Sequence, residues 1–316
     1  MTELKNVEDV VGLFGVDVPW PVGGFANKSE HVPALDTAFC FDGPTTKALL
    51  LGFACNRRVY VHGPHGSGKS THIEQVAARL NWPCVRVNLD GHVTRSDLIG
   101  RDVITVKDGH QVTEFLPGIL LWALEQPIAL VLDEYDAGRP DVMFVIQRVL
   151  ESDGRLTLLD QNRVIQPHPY FRLFATANTA GQGDASGLYA GTQVLNQAQM
   201  DRWQVITELG HLPPEQELAI LSSRVPSLDD AVARQMVSLA GLCRQSFREG
   251  DLSTLMSLRT LITWAENLTL VKDVGEALLL SFVNRCDDTE HSLLAEFFQR
   301  CFDQELDVGT SLSRIY

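Results

Sequence analysis

The stretch Gly63-Pro64-His65-Gly66-Ser67-Gly68-Lys69-Ser70 follows the pattern G-x-x-x-x-G-K-S of the phosphate-binding P-loop. Val59-Tyr60-Val61 before it predicts a short buried strand, and Ser70 to Leu80 after it predicts a helix. The first N–H groups of such a helix and its dipole attract phosphate. Because both neighbours are the elements that the motif requires, the sequence predicts a nucleotide site rather than a glycine-rich turn.

Each residue type in the loop has a chemical role. The glycines allow backbone N–H groups to approach phosphate, Lys69 is expected to neutralise the β and γ oxygens, and Ser70 is expected to ligate Mg²⁺. The predicted cofactors are therefore ATP and Mg²⁺. The residues expected to contact them are Gly63, Pro64, His65, Gly66, Ser67, Gly68, Lys69, Ser70, Thr71 and Asp133.

Two further strand ends carry polar side chains. The apolar run Ile128 to Leu132 ends in Asp133-Glu134, where Asp133 can hold the metal shell and Glu134 can orient or deprotonate the attacking water. Phe171 to Ala175 leads to Asn178, which is placed to bind the same water or the γ-phosphate. An ordinary turn would also accept these polar residues, but together with the P-loop they indicate hydrolysis.

The predicted fold is α/β, with a doubly wound parallel sheet and two β-hairpin insertions. Its strands are expected at Val59-Tyr60-Val61, Cys84 to Leu89, Ile128 to Leu132, Phe171 to Ala175 and Val205 to Leu209. Only Cys84 to Leu89 alternates apolar and polar residues, which is typical of an edge strand. The hairpins are predicted at 103–113, which contains the turn Asp108-Gly109, and at 156–165.

Helical patterns replace strand patterns beyond residue 211. They fall at 215–222, 228–248, 257–271, 273–285 and 290–304. Prolines and glycines between Val18 and Phe25 predict an irregular N-terminal segment. We therefore expect an irregular extension (1–40), an ATP-binding α/β domain (41–210) and an all-helical lid domain (211–316).

The composition is that of a folded cytoplasmic protein. A formal charge of −14 disfavours nucleic acid and anionic membranes as partners. The six cysteines lie far apart without a C-x-x-C pair, which favours reduced thiols. Neither a secretory signal nor a run of about 18 apolar residues is present.

These motifs and the helical region that follows them resemble the AAA+ ATPases. Ser96-Asp-Leu-Ile-Gly100, both hairpins, Asp133 to Pro140 and Gln199-Met-Asp-Arg-Trp203 are similar to the MoxR branch of that class. The resemblance implies that Arg202 is an arginine finger for a neighbouring subunit, with a surface arginine as the alternative. It also implies that Arg259 senses nucleotide, in its own or a neighbouring site.

Longer strings resemble one family, the ATPase subunits of aerobic cobaltochelatase. They are His72 to Asn88, Asp133 to Leu150 and Gln197 to Trp203. The family implies a ring, expected to be a hexamer, that works with a subunit carrying an adhesion-type (VWA/MIDAS) domain and with a large chelatase subunit. ATP hydrolysis would drive Co²⁺ into a corrin-ring precursor of cobalamin, hydrogenobyrinic acid a,c-diamide, on that large subunit.

Several alternatives remain open from the sequence. The chain could be a chaperone-like MoxR ATPase that remodels another adhesion-domain protein, or a nucleotide-dependent scaffold; a DNA motor is disfavoured by the charge. The hairpins are candidates for partner or pore contacts, or simple decoration of the sheet edge. His62 and His65 form an H-x-x-H pair, but a metal at His65 would obstruct the nucleotide, so Mg²⁺ carried by ATP is the only metal predicted.

Overall fold

The computed structural model describes residues 3–183 and 191–307, so the extreme ends of the predicted N-terminal extension and helical domain lie outside the described residues. The chain divides into two compact units. The first comprises Met1–Thr37, Phe41–Pro64 and Gly68–Leu209, and the second comprises Ala38–Cys40, His65–Ser67 and Gly210–Tyr316.

The strands lie in the first unit. They are β1 (Leu4–Asn6), β2 (Gly23–Phe25), β3 (Val59–His62), β4 (Cys84–Asn88), β5 (Gly100–Lys107), β6 (His110–Pro117), β7 (Ala129–Asp133), β8 (Leu156–Leu158), β9 (Arg163–Ile165), β10 (Arg172–Ala177) and β11 (Val205–Glu208). Five of them form a parallel sheet in the order β11-β3-β10-β7-β4. The predicted five-stranded parallel sheet is confirmed, and β4 lies at an edge as its alternating pattern indicates.

Helices connect these strands and form the C-terminal region. They are α1 (Val10–Phe14), α2 (Gly43–Cys55), α3 (Lys69–Arg79), α4 (Arg95–Ile99), α5 (Ile119–Leu124), α6 (Pro140–Leu150), α7 (Gln197–Met200), α8 (Pro214–Arg224), α9 (Asp230–Glu249), α10 (Leu258–Val271), α11 (Val274–Ser281) and α12 (His291–Phe302). No helix in the part of the chain described here is long and apolar enough to cross a membrane.

The sheet is covered by apolar side chains on both faces. Successive residues of a strand point to opposite faces, and accordingly Leu130 and Leu132 of β7 join one buried cluster while Ala129 and Val131 join another. Full burial of such side chains contributes roughly 1.5–3 kcal/mol each for the larger ones. The uninterrupted apolar runs in the sequence follow from this two-sided burial.

The N-terminal segment is more regular than the sequence predicts. Strands β1 and β2 pair antiparallel, and α1 precedes the left-handed Gly15. Phe14 and Phe25 are buried in the core that also contains Trp82. The ring centroids of Phe25 and Trp82 lie 4.8 Å apart. Proline and glycine correctly indicate interruptions of the chain, but tertiary burial orders the apolar residues between them.

Both predicted hairpins are present. Strands β5 and β6 pair antiparallel around a turn at Asp108 and Gly109. Gly100 lies opposite Pro117 at one end of the hairpin, and Lys107 lies opposite His110 at the other. This hairpin is longer than predicted. Strands β8 and β9 form the second, with three paired residues on each side.

The C-terminal region is helical, as predicted. Trp264 and Leu261 of α10 are fully buried there, together with Cys243 of α9. A buried ion pair joins α8 to α9, because Arg244 Nη1 donates to Glu217 Oε2 at 2.9 Å. The prediction of one helix over 273–285 is wrong in its last part, where α11 ends at Ser281 and a separate 3₁₀ turn follows (Val283–Arg285).

Candidate nucleotide-binding and hydrolysis site

The backbone of the P-loop has a shape that requires glycine. Gly63 has φ 149° and Gly68 has φ 89°, conformations that other residues rarely adopt. A β-carbon on Gly63 would lie 2.1 Å from the carbonyl oxygen of Leu209. The loop begins at the carboxyl end of β3, and Gly68 directly precedes the first residue of α3. The first N–H groups of that helix therefore face the loop, where phosphate binds in such sites.

Lys69 is buried at the base of the loop. Its Nζ donates to the carbonyl oxygens of Gly63 at 2.8 Å and Pro64 at 2.9 Å, and to Asn178 Oδ1 at 3.2 Å. Burial lowers the pKa of Lys69 to about 8, and the charges of Asp136, Asp133 and Glu134 oppose that shift. The three protons of the ammonium group therefore all have oxygen acceptors, and phosphate oxygens would replace some of these acceptors when nucleotide binds.

Asp133 lies at the centre of a hydrogen-bond network. Its Oδ1 accepts from Ser70 Oγ at 2.6 Å and from Thr176 Oγ1 at 2.7 Å. Its Oδ2 accepts from Arg86 Nε at 2.6 Å, and Arg86 also pairs with Glu74 at 3.3 Å. Four elements of the first unit (α3, β4, β7 and β10) therefore fix one carboxylate.

The groups in this network fit Mg²⁺ and a nucleotide. The Ser70 hydroxyl and the Asp133 carboxylate are hard oxygen donors that share one hydrogen bond, which places them close enough to act on a common ion. Ser67 Oγ, inside the loop, is buried and has no hydrogen-bond partner among the described residues. The described residues contain no group of three or more His, Cys, Asp or Glu arranged as a metal site.

Glu134 follows Asp133 in a left-handed backbone conformation, with φ 54° and ψ 44°. A non-glycine residue there carries backbone strain. The 3₁₀ turn Tyr135–Ala137 comes next. Asp136 in that turn accepts hydrogen bonds from the backbone N–H groups of Asn178 and Thr179. The carboxyl ends of β3, β7 and β10 thus bring together Lys69, Asp133 and Asn178, the residues that the sequence predicts to share a site.

Arg202 lies apart from this group. It precedes β11, which runs parallel to β3 with Val205 opposite Val59 and Glu208 opposite His62. The P-loop follows the carboxyl end of β3, whereas Arg202 lies near the amino end of the sheet. Its Nε donates to Glu151 Oε1 at 2.6 Å. Arg259 is exposed in the first turn of α10, in the second unit.

Sequence reasoning missed three polar residues of the site. Arg86 lies on the edge strand β4, Thr176 lies within the apolar strand β10, and Asp136 lies in the turn after Glu134. A charged or hydroxyl side chain inside a short strand is a weak signal, because it also fits an exposed edge. The partners lie more than 40 residues away in sequence.

This strand order, P-loop and pair of polar strand ends define an AAA+ ATPase fold with a nucleotide-binding site. Residues 58–193 match the AAA domain (dynein-related subfamily), and residues 217–293 match the CbbQ/NirQ/NorQ C-terminal family. A mutant of RuvB from Thermotoga maritima is a structural neighbour, with TM-score 0.48 and 17% identity over 74% of this chain and 68% of that one.

A relative narrows the class to one family. The chain is 59% identical over 312 residues to the aerobic cobaltochelatase subunit CobS of a Sinorhizobium species. This alignment covers 96% of this chain and 94% of that protein. It is also 25% identical over 267 residues to midasin of Dictyostelium discoideum, which covers 82% of this chain but 4% of midasin. The chain therefore belongs to the CobS family of MoxR-type AAA+ ATPases.

Proposed function

We propose that this chain is the ATPase subunit of an aerobic cobaltochelatase, in which ATP hydrolysis drives insertion of Co²⁺ into hydrogenobyrinic acid a,c-diamide during cobalamin biosynthesis. The observation that carries the proposal is the 59% identity to the CobS subunit along nearly the whole of both chains. The site geometry supports the proposal, since Lys69 contacts Asn178 and Ser70 contacts Asp133 at the carboxyl end of the sheet.

Each residue of the site then has a step to perform. The loop N–H groups and Lys69 bind the phosphates, while Ser70 and Asp133 would hold Mg²⁺, which supplies positive charge at the phosphate oxygens. Glu134 accepts a proton from the attacking water, and Asn178 orients that water with its side-chain amide. The hydrogen bond from Lys69 to Asn178 keeps the amide beside the phosphate-binding cation.

The assembly that we propose is a cytoplasmic ring, a hexamer, in which Arg202 serves a neighbouring subunit. Arg202 lies at the opposite end of the sheet from the P-loop of its own subunit, which supports action between subunits. In this proposal residues 211–316 form the lid, and Arg259 senses nucleotide from it. The adhesion-domain (VWA/MIDAS) subunit and the large chelatase subunit complete the enzyme, and the corrinoid binds to the large subunit.

Reconstitution of cobalt insertion tests this function. Insertion should require this chain, both partner subunits and hydrolysable ATP, and a non-hydrolysable analogue should not replace ATP. Undiminished insertion without this chain would overturn the proposal. The same assay with Glu134→Gln separates a motor from a scaffold, because a scaffold that needs only bound nucleotide would retain insertion.

The match of residues 217–293 to the CbbQ/NirQ/NorQ C-terminal family favours one second candidate. In that case the chain remodels a different adhesion-domain protein. The cobaltochelatase function and this second function differ in the partner protein that should stimulate ATP hydrolysis. ATPase activity stimulated by another adhesion-domain protein, but unaffected by the two cobaltochelatase subunits, would favour the second candidate.

A further inference from the structure

Asp136 is a buried carboxylate to which the proposed mechanism assigns no step. It has no exposed surface. Its Oδ2 accepts hydrogen bonds from the backbone N–H groups of Asn178 at 3.0 Å and Thr179 at 2.9 Å, and from Thr179 Oγ1 at 2.9 Å. Hydrogen bonds to an ionised acceptor are stronger than those between neutral groups, and they are stronger still away from water. These three bonds therefore hold the end of β10 firmly.

These hydrogen bonds lie beyond the last paired residues of strands β7 and β10. The register between β7 and β10 ends at Leu132 and Ala175. Glu134 and Asn178 both lie beyond that pair, so the strand pairing does not fix their separation. Asp136 connects the turn that follows Glu134 to the backbone of Asn178. Its own carbonyl oxygen accepts from Gln193 N at 2.8 Å, which anchors the turn from a third segment.

We propose that Asp136 is a positioning residue, which fixes Asn178 relative to Glu134 so that both act on one water molecule. This inference rests on the proposed hydrolytic roles of Glu134 and Asn178. A misplacement of about 1 Å can reduce a rate on the order of 100-fold. Asp136 therefore affects turnover through Asn178, without contact with the nucleotide.

A double-mutant cycle on the full chain tests the proposal. Asp136→Asn keeps the size of the side chain but replaces the charged acceptor by an amide. At pH 7 we expect its kcat to fall on the order of 10-fold, and the Kd for ADP to rise by a smaller factor because the charge of Asp136 also favours the protonated form of Lys69. In an Asn178→Ala background the same substitution should lower kcat by less than about twofold, because residues that act through one another are not additive.

The outcomes separate this inference from the proposed function. If Asn178→Ala alone leaves kcat unchanged, the proposed role of Asn178 fails. If Asn178→Ala lowers kcat but Asp136→Asn does not, or if the two effects multiply, the positioning role is wrong. A fall in nucleotide affinity equal to the fall in kcat would also overturn it, because that is the result of general damage to the fold.

Thr179→Val provides a milder version of the same experiment. It removes one of the three donors to Asp136 and leaves both backbone N–H groups. We expect kcat to fall by about two- to fivefold, and this loss to disappear in the Asn178→Ala background. If Asp136→Asn does not fold, this cycle decides the question, and a loss that persists without the Asn178 amide contradicts the proposal.

Discussion

Asp133 accepts hydrogen bonds from Ser70, Thr176 and Arg86, three residues on three different elements. A carboxylate whose two oxygens both accept hydrogen bonds is held in one orientation. The positive charge of Arg86 offsets the cost of burying the negative charge of Asp133. The arginine is itself partly exposed, with 43% of its side chain accessible. Arg86 thus stabilises the Asp133 carboxylate, which we propose to bind Mg²⁺, from the edge of the sheet while Ser70 remains beside it.

Glu134 is the residue at which hydrolysis can be separated from binding. We predict that Glu134→Gln binds ATP normally but turns it over at least roughly 100-fold more slowly, because the amide cannot accept a proton from water. Steady-state phosphate release and equilibrium binding of a fluorescent ATP analogue measure the two effects. Glu125→Gln, at an exposed position after α5, is the matched control and should leave both unchanged. Full turnover by Glu134→Gln would show that another group is the base.

His72 links the stability of the P-loop helix to pH. Its Nε2 lies 2.8 Å from Thr46 Oγ1, and that hydroxyl donates to the carbonyl oxygen of Asp42, so Nε2 carries the proton in a neutral ring. Burial lowers the pKa of His72 to about 4. Between pH 6.5 and pH 4 the unfolded chain therefore binds this proton and the folded chain does not. Stability is lost as the pH falls through that range.

This shift predicts a loss of roughly 2–3 kcal/mol in the free energy of unfolding of the first unit between pH 6.5 and pH 4.5. Urea unfolding at both pH values measures it. His72→Gln should reduce the loss, because glutamine does not titrate but can still donate to Thr46. His92→Gln replaces an exposed histidine and should leave the loss of stability unchanged. An equal loss in His72→Gln and the unmodified protein would contradict the assignment.

At the scale of elements, the β5–β6 hairpin combines regular pairing with two exposed apolar side chains on one face. Ile104 and Val106 lie on the same face of β5 and are 72% and 71% exposed. The turn has positive φ at both central residues, 51° at Asp108 and 79° at Gly109, which is the pattern of a tight two-residue hairpin. Local turn chemistry therefore sets the register, because little of this hairpin is buried.

The turn can be tested without affecting the nucleotide site. We predict that Gly109→Val destabilises the hairpin by about 1–2 kcal/mol, since no atom lies within 4 Å of the added β-carbon and the cost is backbone strain alone. Hydrogen exchange of the amides in residues 100–117 should accelerate, while nucleotide affinity stays the same. Asp108→Asn is the control and should preserve protection, because asparagine tolerates the left-handed conformation. Unchanged exchange in Gly109→Val would show that packing, not the turn, holds the hairpin.

At the scale of the whole molecule, we propose that the active site is completed by Arg202 of a neighbouring subunit. Its guanidinium is held by Glu151 and by the carbonyl oxygen of Ala198, on the side of the sheet away from its own P-loop. One subunit would therefore supply Lys69 and Glu134, and its neighbour would supply Arg202.

Mixing two inactive variants tests this arrangement. Arg202→Ala should bind ATP yet turn it over on the order of 10³-fold more slowly, and Lys69→Ala should bind ATP poorly. Mixed rings should regain part of the activity, because some interfaces combine an intact P-loop with an intact arginine. A mixture of Lys69→Ala and Glu134→Gln is the control and should stay inactive, since both changes damage the same half of the site. Wild-type turnover by Arg202→Ala, or mixtures without any recovery, would refute a finger that acts between subunits.

Much of this architecture could be predicted from the sequence because it is encoded over short distances along the chain. The P-loop, the five apolar strands, the Asp108-Gly109 turn and the helical C-terminal region each rest on a motif or periodicity within about 10–20 residues. Lys69, Asp133 and Asn178 could be predicted to meet because parallel strands place their carboxyl ends at one edge of the sheet. The roles of Arg202 and Arg259 remain predictions.

Only the tertiary structure placed the groups that support the site. The partners of Asp133 on β4 and β10 are 47 and 43 residues away, and Asn178 is 42 residues from Asp136. Such pairs produce no recognisable pattern in the sequence, because each partner alone is an ordinary polar residue in a strand or a turn. The order of the N-terminal segment is not predictable from the sequence for the same reason, since burial of Phe14 and Phe25 depends on a core built by distant elements. Short-range patterns thus determined which elements form, whereas long-range packing and hydrogen bonding decided which side chains hold the site in place.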